Sequence, residues 1–451
     1  MDAELSAPNG VKWTQPIGLF INDEFVSGGG GKTITAVNPT TEEDICAVHA
    51  ATVEDVDKAV KAARAAFKNP SWKRLGAKER ATFLNKLADL VEQHAEILAS
   101  LETWNNGKPF TLARHGDVAT AVDLLRMASK LGPALACGNT VVLKASEVCL
   151  LVALYWAKLV IEAGFPAGVI NILNGYGREA GAALASHLDV DKVSFTGSIA
   201  TGKEILKLAA SNMKNVTLET GGKSPAIVFE DADLDNAAFW ANIGIMVNSG
   251  QVCSATSRVL VQQSIQDKFL EKFKAHGEKI SVIGDPFEQT TSHGPLVSKL
   301  QHERVLSYID SGKSEGAKVY MGGKATPQGG KGFYVEPTVF TDVKSHMRIF
   351  REEIFGPCVV VVPFKTEEEA LEIANDTPYG LNSAVFTSNI SRAHRVVAGI
   401  ETGVVYINSS NNSDIRVPFG GTKQSGIGSE LGELGLAAYT YNKSVYVNLA
   451  V

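Results

Sequence analysis

Cys253 lies in the stretch Asn248-Ser249-Gly250-Gln251-Val252-Cys253-Ser254. Glu219 lies 34 residues upstream, in Leu218-Glu219-Thr220-Gly221-Gly222-Lys223-Ser224-Pro225. The first stretch offers a thiol on a small, flexible loop. The second offers a carboxylate at the end of a strand, followed by two glycines. A thiol and a carboxylate on either side of a cleft are the equipment for covalent catalysis followed by hydrolysis. Most cysteines are small buried hydrophobes, and Cys46, Cys137, Cys149 and Cys358 read that way. None of the five forms a CxxC pair or has zinc spacing. An odd, thinly spread set suits a reducing compartment.

A second group of residues suits a dinucleotide. Gly197-Ser198-Ile199-Ala200-Thr201-Gly202 opens a helix after an apolar strand. Backbone N–H groups at such a start can hold a phosphate. Glycines at a strand-to-helix turn are more often only a turn, and there is no GxGxxG. Lys144 and Glu147 follow another strand. A carboxylate there can accept both adenosine ribose hydroxyls and would repel a 2′-phosphate, which favours NAD over NADP. Its plainer role is an acid at a helix N-terminus.

These positions need elements to hold them. From Asn139 onward strands and helices alternate. Strands are expected at Thr140–Leu143, Val169–Leu173, Lys192–Phe195 and Asn215–Leu218, with helices over Val148–Glu162 and Glu179–His187. Apolar strands bounded by glycines and separated by helices mean a parallel sheet covered on both faces, with ligands at the strands' carboxyl ends. Lys144, Glu147, Gly197, Ser198 and Glu219 all fall at those ends. A second α/β unit follows Cys253, with strands at Val259–Val261, Cys358–Val362, Ser383–Phe386 and Gly403–Ile407. Upstream lie short strands (Leu19–Ile21, Glu24–Val26, Thr33–Val37) and a hairpin loop at Ser27–Gly31. A helix follows, capped at Thr52 and Asp55, that buries Val56, Val60, Ala63 and Phe67. One long helix is expected over Lys78–Thr103. The tail from Ala438 to Leu449 alternates like an edge strand or extended arm.

Composition sets limits. The chain has 451 residues, 45% hydrophobic and 20% charged, with net charge −6 and interspersed signs. That suits a globular enzyme of two or three domains and leaves no footprint for nucleic acid. The opening residues lack the apolar core of a signal peptide, and the longest apolar run, Val148–Ala157, is too short to span a bilayer. The expectation is a cytoplasmic protein with no membrane partner.

The Cys253 and Glu219 stretches, together with Phe195-Thr196-Gly197-Ser198, Glu352-Glu353-Ile354-Phe355-Gly356-Pro357, Pro418-Phe419-Gly420-Gly421 and Ser425-Gly426, resemble the NAD(P)-dependent aldehyde dehydrogenase superfamily from Leu19 to Val447. They look most like its cytosolic class acting on simple aldehydes. The resemblance implies that Cys253 attacks the aldehyde, that hydride leaves to NAD, and that Glu219 activates water against the thioester. It implies cofactor-binding roles for Lys144, Glu147, Gly197, Ser198, Thr201, Gly202, Glu353 (nicotinamide ribose) and Phe355 (near the ring), and no metal. It further implies an α/β fold: a Rossmann-like NAD-binding domain over 1–221, a catalytic α/β domain over 222–428 and a small β oligomerisation arm over 429–451. A small-molecule aldehyde and a homotetramer or homodimer are the partners implied.

The chain departs from the family between Met127 and Leu131. Several dozen residues are absent there, which in the family carry an oligomerisation hairpin, the first strand of the dinucleotide fold and a Trp-Asn-Phe-Pro motif whose Asn donates to the oxyanion. No Trp-Asn-Phe-Pro occurs in this sequence. Ser429 and Thr422 stand where the family has Arg and an aromatic. Without the first strand, Thr140–Leu143 and Lys192–Phe195 have no shared neighbour. Three readings follow: an aldehyde dehydrogenase, impaired or not; a non-catalytic truncated member; or an acyl-transferring relative, which Glu219 disfavours.

Overall fold

The computed structural model describes residues 1–127, 130–412 and 414–449. Two junction residues, Ala128 and Ser129, and the last two of the arm lie outside the described residues. The fold is α/β, with a Rossmann-like sheet, a second α/β unit and a small arm.

The second unit is the more complete. Its seven strands run Lys318–Met321, Thr338–Thr341, Cys358–Phe364, Arg258–Gln262, Pro225–Val228, Asn382–Phe386 and Val404–Ile407 across the sheet. All are parallel except the Lys318–Met321 edge. Ile227, Val259, Leu260 and Val361 are fully buried, because helices cover both faces and every face of a central parallel strand must be apolar.

The Rossmann-like region is divided. Val141–Lys144 pairs in parallel with Ile170–Leu173, which continues through Leu19–Ile21 to Glu24–Val26. Lys192–Gly197 pairs in parallel with Asn215–Thr220, in a separate three-stranded sheet closed by Gly426–Ile427. Val141–Lys144 and Lys192–Gly197 are therefore both edges. Val141–Lys144 and Lys192–Phe195 are only half-buried and Thr196 and Gly197 are exposed, whereas Ile170–Leu173 is buried throughout. An open cleft of about 2270 Å³ runs between the two edges.

The helix Val53–Lys68 has the expected cap. Thr52 and Asp55 exchange side-chain and backbone hydrogen bonds, and Val56 and Val60 are buried. Phe67 is a correction: it is 37% exposed and faces the cleft rather than the core. The expected single helix over Lys78–Thr103 is two, Ala77–Gln93 and Ala95–Asn106, broken at His94. The imidazole Nδ1 of His94 is 2.8 Å from the Tyr155 hydroxyl, a tertiary contact that apolar periodicity does not carry. Ser27–Gly31 does not join a hairpin. It links Glu24–Val26 to Thr33–Val37, which pairs instead with Asp44–His49. The helix expected from Val148 begins at Leu151. The tail beyond Thr440 makes no strand ladder among the described residues and is exposed.

Candidate active site

Glu219 is fixed by its neighbours in the ladder. It pairs with Thr196 on one side and Gly426 on the other. A Cβ at Gly426 would lie 2.8 Å from the Leu218 carbonyl oxygen, so only glycine lets the returning chain cross there. Thr220 Oγ1 donates to the Gln424 carbonyl (2.6 Å), and Ser425 Oγ donates to the Gly221 carbonyl (2.7 Å). The Glu219 carboxylate itself is 4% exposed, and neither oxygen has a hydrogen-bond partner. Burial pushes its pKa up to about 8, helped by Glu430 and opposed by Lys130. A buried carboxylate with open lone pairs is poised to accept a proton from a nearby water.

The two glycines after Glu219 allow a close approach from two directions. A Cβ at Gly221 would sit 2.0 Å from Glu353 Oε2, and one at Gly222 would sit 2.6 Å from the Cys253 carbonyl oxygen. The Gly222 N–H donates to Glu353 Oε1 at 3.2 Å. Glu219, Cys253 and Glu353 thus gather around one backbone segment.

The Cys253 loop is not flexible, which corrects the sequence expectation. Asn248 and Ser249, both with φ 53°, and Gly250, with φ 71°, form a left-handed run. Such a run is costly for non-glycine residues and persists only where the surroundings hold it. Here Ser249 Oγ donates to the Gly294 carbonyl (2.7 Å). The Asn248 and Gln251 amides bond each other's backbone carbonyls, and the Val297 N–H donates to Gln251 Oε1. A Cβ at Gly250 would lie 2.1 Å from the Gly356 carbonyl oxygen, so this loop packs directly on the Glu353 loop. Burial pushes the Cys253 thiol up to about 11, with Glu353 and Glu219 adding to it. The peptide N–H groups of Ser254 and Cys253 oppose them.

Glu353 is held from behind. Its N–H donates to the Tyr379 hydroxyl, and Arg304 donates to its carbonyl. Gln301 Nε2 donates to the carbonyls of Ile354 and Phe355, and Phe355 takes φ 57°. Burial raises the Glu353 pKa, opposed by the Gly222 N–H, Arg304 and Lys223.

Lys144, Glu147, Gly197, Ser198 and Thr201 line the cleft between the two edge strands, whereas Gly202 is buried behind it. Ser198 caps the helix Ile199–Ala209: its Oγ accepts from the Thr201 N–H at 3.2 Å, and the Gly202 N–H bonds the Ser198 carbonyl. A Cβ at Gly197 would meet the Phe195 ring at 2.4 Å. Lys144 Nζ donates to the carbonyls of Ala145 (2.8 Å) and Gly175 (3.1 Å), and burial lowers its pKa against the pull of Glu147. Glu147 accepts from the Gly177 N–H. Both side chains are engaged by the Gly175–Gly177 backbone, in the same cleft as Gly197 and Ser198. They are brought to one cleft but not into contact with Cys253.

Three residues escaped the sequence reading. Lys130 pairs with Glu430 and donates to Thr196 Oγ1 at 2.8 Å, so it ties the junction to the strand beside Glu219. The Glu430 charge adds to the burial that raises Glu219. Lys223 is 1% exposed, its Nζ has no hydrogen-bond partner, and burial brings its pKa down to about 7. Lys223 follows Gly221-Gly222 directly, which was the one signal available. Glu430 and Lys130 had none. Cys358 is buried in an apolar cluster, and its thiol is pushed up to about 12.

A family profile described as the aldehyde dehydrogenase family matches residues 25–131 and 124–445, in two stretches that meet at the junction. An aldehyde dehydrogenase of Emericella nidulans is 49% identical over 484 aligned positions, covering 97% of this chain and 96% of its own. Aldehyde dehydrogenase [NAD(P)+] 1 of Saccharomyces cerevisiae is 46% identical over 491 positions, covering 98% and 97%. Both alignments are longer than the 451 residues of this chain, so these relatives carry residues that it lacks. Among solved structures, an NAD+ complex of an aldehyde dehydrogenase from Bacillus cereus superposes with TM-score 0.93 at 45% identity, covering 96% of this chain and 97% of that one.

Proposed function

Since the chain belongs to the aldehyde dehydrogenase family, we propose that it oxidises a small aldehyde to the carboxylic acid with NAD, using Cys253 as nucleophile and Glu219 as base. The observation that carries the assignment of roles is the convergence of Cys253, Glu219 and Glu353 on Gly221-Gly222. The Cys253 thiolate adds to the aldehyde carbon to give a thiohemiacetal. Its carbon gives up hydride, leaving a thioester on sulfur. Glu219, as carboxylate, takes a proton from water as that water attacks the thioester, and the acid leaves as Cys253 is regenerated.

The residues present fit NAD at both ends. At the phosphate end, the start of Ile199–Ala209, capped by Ser198, lies just after Gly197, where a helix N-terminus can favour a phosphate. At the other end, the Glu353 carboxylate lies in space that any side chain at Gly221 would fill. NAD, when bound, accepts the hydride. Lys144 and Glu147 would hold the adenosine ribose after leaving the carbonyls and the Gly177 N–H they now bond. Thr201 and Gly202 would serve the phosphate turn, and Phe355 would stand near the nicotinamide. The Bacillus cereus relative is described as an NAD+ complex, which supports NAD here.

The same reading assigns 1–221 to NAD binding, 222–428 to catalysis and 429–451 to an arm. It is supported by the break in the ladder between Asn215–Thr220 and Pro225–Val228. It places the protein in the cytoplasm, as a simple-aldehyde enzyme of the cytosolic class. Among the described residues no helix is long and apolar enough to cross a membrane. A homotetramer or homodimer follows from the family, weakened by the missing hairpin.

A second reading, an impaired or non-catalytic member, is favoured by one observation: the two parallel pairs of the dinucleotide region do not join. The two-stretch profile match supports placing the missing Trp-Asn-Phe-Pro segment at the junction. NAD reduction by the purified chain with a panel of simple aldehydes, beside Cys253→Ala, separates the readings. Aldehyde-dependent turnover lost in Cys253→Ala supports the first. No turnover above Cys253→Ala supports the second.

A further inference from the structure

The cleft between Val141–Lys144 and Lys192–Gly197 has the form of a slot for one strand. Each strand is paired on one side only, each runs parallel to its one neighbour, and the outer ladder groups of both are left without strand partners among the described residues. Two helices contribute apolar side chains to its lining, Val60 and Phe67 from one and Ile205 and Leu208 from another, with Arg64 and Glu204 beside them. A parallel strand covered by helices should be buried on both faces, yet these two are half-exposed. Unpaired ladder groups beside apolar side chains cost free energy that an inserted strand would recover.

The mouth of this slot already holds the start of the C-terminal arm. Asn139 Nδ2, just before one edge strand, donates to the Tyr439 carbonyl at 3.0 Å. Lys192 Nζ, at the start of the other, lies 5.1 Å from the centre of the Tyr439 ring. Tyr439 therefore sits where both edge strands begin, so a chain continuing from it into the slot runs parallel to both. Beyond it, Asn442-Lys443 has turn character, and Ser444–Leu449 carries the β-branched and aromatic run Val445-Tyr446-Val447 at its centre. Those six residues match the six of Lys192–Gly197. Outside the slot Val445, Tyr446 and Leu449 are 73%, 95% and 87% exposed, an unfavourable display for such side chains.

We propose that the slot is a binding site for the chain's own C-terminal arm: Ser444–Leu449 inserts as a parallel strand between Val141–Lys144 and Lys192–Gly197 and joins the two half-sheets. Tethering at Tyr439 favours the arm of the same chain over that of a second copy, because the local concentration of a short tether exceeds that of free protein. The proposal rests on strand edges and not on the chemistry assigned to Cys253, so its test uses no substrate or cofactor.

Amide hydrogen exchange on the full chain, at two protein concentrations tenfold apart, reads it directly. Expected is protection of the Val445–Leu449 amides at least tenfold above the unstructured rate, equal at both concentrations. Protection of Val141–Lys144 and Lys192–Gly197 should then fall in the double variant Val445→Lys, Val447→Lys. Arm amides exchanging at the unstructured rate in the unaltered chain overturn the proposal whether or not the variant folds. Protection that grows with concentration also overturns it, by assigning the slot to a second copy's arm. Arm protection with both edge strands unaffected by the variant overturns it as well, by placing the arm elsewhere.

Discussion

Glu219 is a buried acid and Cys253 a half-buried one, both held toward their protonated forms, and the Glu219 charge adds to the rise at Cys253. With the Glu219 pKa near 8, only a minority of molecules carry it as carboxylate at neutral pH. Deacylation should therefore rise as pH climbs from about 7 to 9, while Glu219→Gln should turn over at least tenfold more slowly with a flat profile and an intact first burst of hydride. Stopped-flow absorbance of reduced cofactor, compared with the steady rate, reads both. The same shift bears on stability. The folded Glu219 holds its proton more tightly than the unfolded chain does, so it costs stability as pH rises from about 4.5 to about 8. Glu219→Gln should lack that loss and be the more stable protein at pH 8, by a few kcal/mol at about 1.4 kcal/mol per unit. Denaturant melts at pH 5 and 8 check it, and equal pH dependence in both proteins would contradict the burial reading. The thiol and the carboxylate were legible from residue type and neighbouring glycines. Their electrostatic partner Glu430 was not, because it comes from 211 residues further along the chain and no local pattern marks it.

At the scale of elements, glycines decide how closely the catalytic segments approach. Gly221→Ala would drive a methyl into the Glu353 carboxylate, and Gly250→Ala would add both a clash with Gly356 and a left-handed alanine. Gly221→Ala should raise KM for NAD at least tenfold with a smaller effect on KM for aldehyde, since Glu353 is the group displaced. Gly250→Ala should lower kcat, since the Cys253 loop moves. Initial-rate kinetics on both variants distinguish the two effects, and identical changes would contradict the separate roles of these loops. Strand–helix alternation made most elements legible: the Val259–Val261, Cys358–Val362 and Ser383–Phe386 strands all lie within strands of the sheet. Where the reading failed, tertiary contacts had overridden local pattern. His94 breaks a helix that apolar periodicity carries straight through, and Phe67 follows helical spacing but meets an open cleft. The three left-handed residues before Cys253 carry no signal beyond one glycine, so a loop that looks flexible is in fact pinned by Gly294 and Val297.

For the whole molecule, the second α/β unit is intact and the dinucleotide region is split, so chemistry and cofactor grip should fail to different extents. A version carrying a family-type segment between Met127 and Leu131 should bind NAD more tightly and form a larger assembly than this chain, measured by calorimetry and light scattering. Its rate should rise by about 100–1,000-fold if the restored Asn donates to the oxyanion. Equal affinity and the same assembly would mean that the segment is dispensable. Beneath these differences lies one claim, that an aldehyde becomes an acyl group on Cys253. The direct test is to mix Glu219→Gln with an aldehyde and NAD, quench in acid within the first turnover, and map the protein by mass spectrometry. The expected result is an added acyl mass on the peptide bearing Cys253, absent when NAD is omitted. An unmodified Cys253, or an acyl group on Cys358 or another side chain, would contradict it.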